Sequence, residues 1–115
     1  MKKISPKELD ERMQGEEKVL LLDVRAEEKY NEYHIEDSQV LCLNIQKTVI
    51  FNLEEGDKLA QISKEQPIII TKEQPIVVTC TTGNSATKCA DILDGLGYQV
   101  EVLEGGLTAW NEYRK

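Results

Sequence analysis

The chain has 115 residues, 40% hydrophobic and 30% charged, and its 21 Asp and Glu against 14 Lys and Arg leave a net charge of −7. That length can bury one core without metal or disulfide support. The acidic balance argues against a nucleic-acid partner or an anionic membrane surface, and no apolar segment approaches the roughly 20 residues that a membrane-spanning helix needs.

The start, Met1-Lys2-Lys3-Ile4, is basic but leads into no apolar run, so no export signal is read there. Ser5-Pro6-Lys7-Glu8 has the form of a capping box with proline at the first helical position. It predicts a helix to about Gln14, stopped by Gly15. Val19-Leu20-Leu21-Leu22 is a continuous apolar run, as expected of a strand buried on both faces, and it ends in Asp23-Val24-Arg25. Ala26 to Tyr33 reads as a short polar helix, Val40 to Ile45 as a strand, and Leu53 to Ser63 as weakly helical with Gly56 interrupting.

Lys64-Glu65-Gln66-Pro67-Ile68-Ile69-Ile70-Thr71 is followed at once by Lys72-Glu73-Gln74-Pro75-Ile76-Val77-Val78-Thr79, a near copy with Val for Ile at two positions. Both have the composition of strands. A shift of eight is even, so exchanging the copies keeps the same side chains facing inward. The first copy is therefore either a surface excursion or extra edge strand, or a competitor for the slot of the second. Only the second copy delivers Cys80 to the loop after it.

Beyond that loop, Ala86, Cys89, Ala90, Leu93 and Leu96 recur at helical spacing up to Gly95-Leu96-Gly97. Val100 to Leu103 is a last strand, and Gly105-Gly106 turns into a terminal helix carrying Leu107 and Trp110. Strands alternating with helices predict an α/β fold in one domain over residues 1–115, with a mostly parallel sheet of roughly five strands and helices on both faces.

Cys80 is the first candidate for chemistry. It ends a buried strand and opens the polar loop Thr81-Thr82-Gly83-Asn84-Ser85, just before a helix N-terminus. Backbone N–H groups converge at such a place, and with the helix dipole they favour negative charge, a thiolate or a persulfide. Cys42 and Cys89 read as core thiols, His34 as a structural histidine, Lys88 as a solvated lysine and Trp110 as a core anchor. Three cysteines without CxxC spacing predict free thiols in a reducing cytoplasm. With a single histidine, no zinc site is expected.

The pieces, in order and spacing, resemble a small single-domain rhodanese, a sulfurtransferase, over nearly the whole chain. They are Ile4-Ser5-Pro6-Lys7-Glu8-Leu9, Leu22-Asp23-Val24-Arg25, His34-Ile35 and Asn44-Ile45. Then come Pro75-Ile76-Val77-Val78 leading to Cys80-Thr81-Thr82-Gly83-Asn84-Ser85, then Gly97-Tyr98, and finally Leu103-Glu104-Gly105-Gly106-Leu107-Thr108-Ala109-Trp110. Residues 64–71 are the one length anomaly.

The resemblance implies that Cys80 attacks the outer sulfur of a small donor, thiosulfate or a persulfide. The resulting Cys80 persulfide passes its sulfur to a thiol, cyanide or a protein cysteine. The amides of Thr81, Thr82, Gly83, Asn84, Ser85 and Ala86 would hold the anion, with Asp23 and Arg25 as supports and with neither metal nor organic cofactor. Many rhodaneses carry arginine where Ser85 stands and serine where Ala86 stands, which leaves an anionic donor to the amides and Arg25. Tyr33 and Asp37 replace glycines around His34-Ile35 and imply a different turn. Phosphatase chemistry on this fold wants arginine six residues after the cysteine, where this chain has Ala86. The alternative of another class is a rhodanese-like binding or regulatory module that senses sulfane sulfur.

Overall fold

In the computed structural model, residues 1–61 and 67–115 are described. Five parallel strands form the main sheet: β1 (Lys3–Ile4), β2 (Val19–Asp23), β3 (Val40–Asn44), β6 (Ile76–Thr79) and β7 (Val100–Leu103), in the order β1-β7-β6-β2-β3. Two short strands, β4 (Leu59–Gln61) and β5 (Ile68–Ile70), pair antiparallel in a separate small sheet. The helices are α1 (Pro6–Met13), α2 (Glu27–Glu32), α3 (Lys47–Phe51), α4 (Asn84–Gly95) and α5 (Gly106–Tyr113). The expected α/β fold, with its parallel sheet and helices on both sides, is the observed one.

The pleat explains the layering. Successive side chains of a strand point to opposite faces. Leu20 and Leu22 join Ile76, Val78, Val100 and Val102 on the face covered by α3, α4 and the small sheet. Leu21 and Val77 join Leu9, Met13, Leu107 and Trp110 on the face covered by α1 and α5. Every residue of β2 and β6 is buried, which is why both read as unbroken apolar runs.

Local signals fixed some boundaries and tertiary contacts fixed others. The capping box forms as written: Ser5 Oγ accepts from the Glu8 N–H and Glu8 Oε1 from the Ser5 N–H, each at 3.1 Å. Gly15 lies past the helix, after a right-handed Gln14 cap, and does not itself take the left-handed conformation. Residues 53–58 are not helical. A turn carrying Gly56 at φ +94° leads instead into β4, while Ile62 and Ser63 lie outside the described residues. α3 and β1 have no counterpart among the elements expected from the sequence. Of the two near copies, the second forms β6 at the centre of the sheet, and Ile68–Ile70 of the first form β5; Lys64, Glu65 and Gln66 lie outside the described residues. Among the described residues no helix is long and apolar enough to cross a membrane.

Candidate active site

Cys80 lies one residue past β6, at the carboxyl end of the strand flanked by β2 and β7. Ligand-facing groups gather at that end of an open α/β sheet. The residue is 5% exposed. Its Sγ accepts the Gly83 N–H at 3.0 Å and the Ala86 N–H at 3.3 Å. α4 starts at Asn84, two residues earlier than its apolar spacing indicates, and so brings the Ala86 amide into the first helical turn. Gly83 has φ +101°, a conformation that costs a side chain about 1–2 kcal/mol and that turns its N–H toward the sulfur. Thr81, Thr82 and Asn84 are exposed and Ser85 is half-buried, while Ala86 is fully buried in the core. The loop therefore turns its backbone to the sulfur.

The opposite side of the loop is held by α5. The Leu107 N–H donates to the Cys80 carbonyl at 2.9 Å, and the Thr108 N–H to the Thr81 carbonyl at 3.0 Å. Gly106, at φ +63°, makes this possible, because a Cβ there would stand 2.6 Å from both carbonyl oxygens. The sequence alone marks Gly105-Gly106 only as a turn. The available signal is the glycine pair directly before an apolar helix, but its target emerges only with the fold.

Asp23 and Arg25 form the neighbouring wall. Asp23 is fully buried. Arg25 Nε donates to Oδ1 at 3.0 Å and Nη2 to Oδ2 at 2.7 Å, and Nη2 also reaches the Tyr33 carbonyl. Burial works against the Arg25 charge, but the hydrogen bonds and charge of Asp23 outweigh it and hold the guanidinium above its ordinary pKa. Asn44 Nδ2 clamps the same turn, donating to the Asp23 and Arg25 carbonyls at 3.0 and 2.9 Å.

Cys80 opens into a cavity of about 260 Å³ whose walls include Arg25, Lys29, Lys47, Thr82 and Ser85. Larger clefts of about 370 and 1030 Å³ lie elsewhere, and neither has a cysteine in its lining. Nothing in the sequence singles out Lys29 or Lys47. Lys88 is exposed and does not line the cavity.

The other candidates do not line this cavity. Burial pushes the Cys89 thiol up to about 12, with Cys80 adding to the shift and Lys47 opposing it. Burial likewise pushes Cys42 to about 12, and Asp23 adds to it. His34 Nδ1 donates to the Tyr30 carbonyl at 2.7 Å, and its ring stacks on Tyr30 with centroids 3.9 Å apart. Trp110 is 3% exposed and packs in the core beneath α5.

A family model described as Rhodanese-like domain matches residues 5–113. The adenylyltransferase and sulfurtransferase UBA4 of Candida albicans is 32% identical over 111 residues, covering 96% of this chain and 23% of that protein, so the chain spans about a quarter of that relative's length. A rhodanese-like domain protein from Staphylococcus aureus superposes with a TM-score of 0.74 at 22% identity, covering 96% of this chain and 91% of that one. A thiosulfate sulfurtransferase from Pseudomonas aeruginosa superposes with a TM-score of 0.64 at 20% identity, covering 98% of this chain and 18% of that one. These two likenesses concern the fold. The family match runs from the capping box before α1 through the strand, loop and helix around Cys80 to the end of α5, and the chain belongs to the rhodanese-like domain family.

Proposed function

We propose that this domain transfers sulfane sulfur through a persulfide on Cys80. One observation carries the reading: a cysteine sulfur on the floor of a cavity, accepting two backbone N–H bonds. Such donors stabilise an anionic sulfur, each by about 1.5–3 kcal/mol when the acceptor is charged. Membership of a family that includes sulfurtransferases, and a relative named as one, support it.

With thiosulfate as donor, the Cys80 thiolate attacks the outer sulfur. A sulfur–sulfur bond forms at Cys80 as the bond to the sulfonate breaks, and sulfite leaves with the electron pair. In the second half, a thiol, cyanide or protein cysteine attacks the outer sulfur of the persulfide, and Cys80 departs as thiolate. Charge and electrons balance in each half without a cofactor. Gly83 and Ala86 hold the anion at both stages, while Asp23 and Arg25 keep the wall of the cavity in place. The three cysteines are unpaired, the state that a reducing cytoplasm maintains, and we place the reaction there.

Intact mass after incubation with thiosulfate or polysulfide tests the reading. The expected result is a gain of about 32 Da that cyanide removes and that Cys80→Ser abolishes. A folded protein that takes up sulfur from no donor would instead be a binding or sulfur-sensing module.

A further inference from the structure

The loop after Cys80 offers an anionic donor no cation, since Ser85 is uncharged and Ala86 is buried. The cations come from other elements. Lys47 opens α3, and the backbone around it is fixed to the end of β2: the Lys47 N–H donates to the Val24 carbonyl at 2.9 Å and the Ile45 N–H to the Asp23 carbonyl at 3.1 Å. Lys29 stands on α2. Both line the cavity that holds Cys80. Arg25 lines it too, but its guanidinium is engaged by the Asp23 carboxylate.

Charge is distributed in an unusual way. The chain has 21 acidic residues against 14 basic ones, yet none of the nine residues lining this cavity is Asp or Glu. Among the described residues, no carboxylate stands within ion-pair distance of Lys29 or Lys47. The Cys89 thiol, pushed up first by burial and then by Cys80, is drawn back by Lys47. Lys47 and Cys80 border the same cavity.

We infer that Lys47 and Lys29 read the charge of the sulfur donor, selecting donors that are themselves anionic over neutral ones. The inference rests on the Cys80 reading for its substrate and adds what that reading lacks, a cation for the donor. When the electron pair settles on departing sulfite, that charge collects in a cavity that both lysines line. Both lysines are exposed, so water screens them and the effect is moderate.

Alkylation of Cys80 by iodoacetate and by iodoacetamide, with peptide mass mapping as the readout, tests this apart from sulfur chemistry. Both reagents need the same thiolate, so the ratio of their rates reports only the field that meets an anion. Lys47→Gln with Lys29→Gln is expected to lower the iodoacetate-to-iodoacetamide ratio roughly tenfold, Lys47→Arg to keep it, and high salt to erode it in the wild type. A ratio unchanged within about twofold in the double variant overturns the inference, whether or not Cys80 takes up sulfur. The second arm compares two reactions of Cys80 by intact mass: with thiosulfate, which gives the persulfide and sulfite, and with a neutral organic trisulfide, which gives a mixed disulfide and a hydropersulfide anion. Here the double variant is expected to slow only the thiosulfate reaction, and an equal loss with both donors also overturns it. A ratio that falls as expected while no donor loads Cys80 leaves the anion site standing and removes the sulfurtransferase reading instead.

Discussion

Ile68-Ile69-Ile70-Thr71 and Ile76-Val77-Val78-Thr79 have almost the same composition and opposite fates. The second is at most 2% exposed along its whole length between β2 and β7, whereas in the first Ile68 is 37% and Ile69 46% exposed and only Ile70, at 2%, is buried. Intrinsic strand preference cannot separate them. The residues downstream of each copy can. An exchange of eight residues would put Lys72 in the place of Cys80 and Pro75 in the place of Gly83. Proline is locked near φ −65° and has no N–H, whereas Gly83 needs φ +101° and donates its N–H to Cys80 Sγ. Ile69 and Ile70 would also add two methylenes to a slot filled by Val77 and Val78, an overpacking of about 1–3 kcal/mol. The slot is chosen by the loop and helix after the strand as much as by the strand.

The largest contrast is expected from one substitution made in both copies. Val77→Lys puts a charge at a position 2% exposed, the one that matches Ile69 in the first copy. It is expected to cost on the order of 4 kcal/mol or more, enough to abolish cooperative unfolding of a domain with roughly 5–15 kcal/mol in total. Ile69→Lys should stay within about 0.5 kcal/mol. Urea unfolding monitored by circular dichroism measures both, and similar losses would break the comparison.

Two glycines sharpen it next. Gly56, before β4, and Gly106, behind the Cys80 loop, both have positive φ, so alanine costs each about 1–2 kcal/mol in backbone strain. Nothing lies within 4 Å of a Cβ at Gly56, but at Gly106 it meets two carbonyls at 2.6 Å. Gly106→Ala must push α5 off the loop, and with the lost hydrogen bonds the expected cost is about 3 kcal/mol together with slowed persulfide formation. Gly56→Ala should leave persulfide formation unchanged. Stopped-flow rates beside melting curves decide, and equal effects on rate would remove the role given to α5.

The same contrast explains what is legible without coordinates. β2, β6, α4 and the α1 cap can be read because burial on two faces, helical spacing and a capping box are local patterns. α3 cannot: Lys47–Phe51 contains Thr, Val, Ile and Phe, has no side-chain cap, and is held by backbone bonds to the end of β2. β1 has two residues and exists through its pairing with β7. The composition of Leu53 to Ser63 suggests a helix, although pairing with β5 makes Leu59–Gln61 a strand. In the site, Cys80 and its loop are contiguous and stand out in the sequence. Lys29, Lys47 and Gly106 come from three other elements, and only folding brings them to the sulfur or its loop.

Deleting residues 64–71 separates placement from exchange. Loss of β5 strips the partner from Leu59 and removes buried Ile70, with an expected cost of about 2–3 kcal/mol. β6 keeps its neighbours, so persulfide formation should stay within about threefold of the wild type. One set of amide resonances before and after supports a fixed register. Two sets in the wild type that merge into one on deletion would show the copies competing.

The smallest expected effect is a slope. The six described residues of β4 and β5 carry no ionisable side chain, whereas α4, next after β6, carries Cys89 with its thiol pushed by burial from 9.0 to about 12. Below pH 9 the thiol is protonated whether folded or unfolded, and its contribution to stability is complete. Between about 9 and 12 the unfolded chain gives up this proton while the folded one keeps it, so stability falls as pH rises, approaching about 1.4 kcal/mol per pH unit for this one group. Cys89→Ala should flatten the alkaline slope by that share, leaving the part due to Cys42 and, from about pH 10, to the phenol of Tyr30, which burial also raises. Ile70→Ala, in the first copy, should lower stability by about 2 kcal/mol at every pH and leave the slope as it was. Urea unfolding at pH 8, 9, 10 and 10.5 reads both variants. An unchanged slope in Cys89→Ala would mean that α4 does not bury this thiol against ionisation, and the central region would then lose the titration that sets it apart from the small sheet.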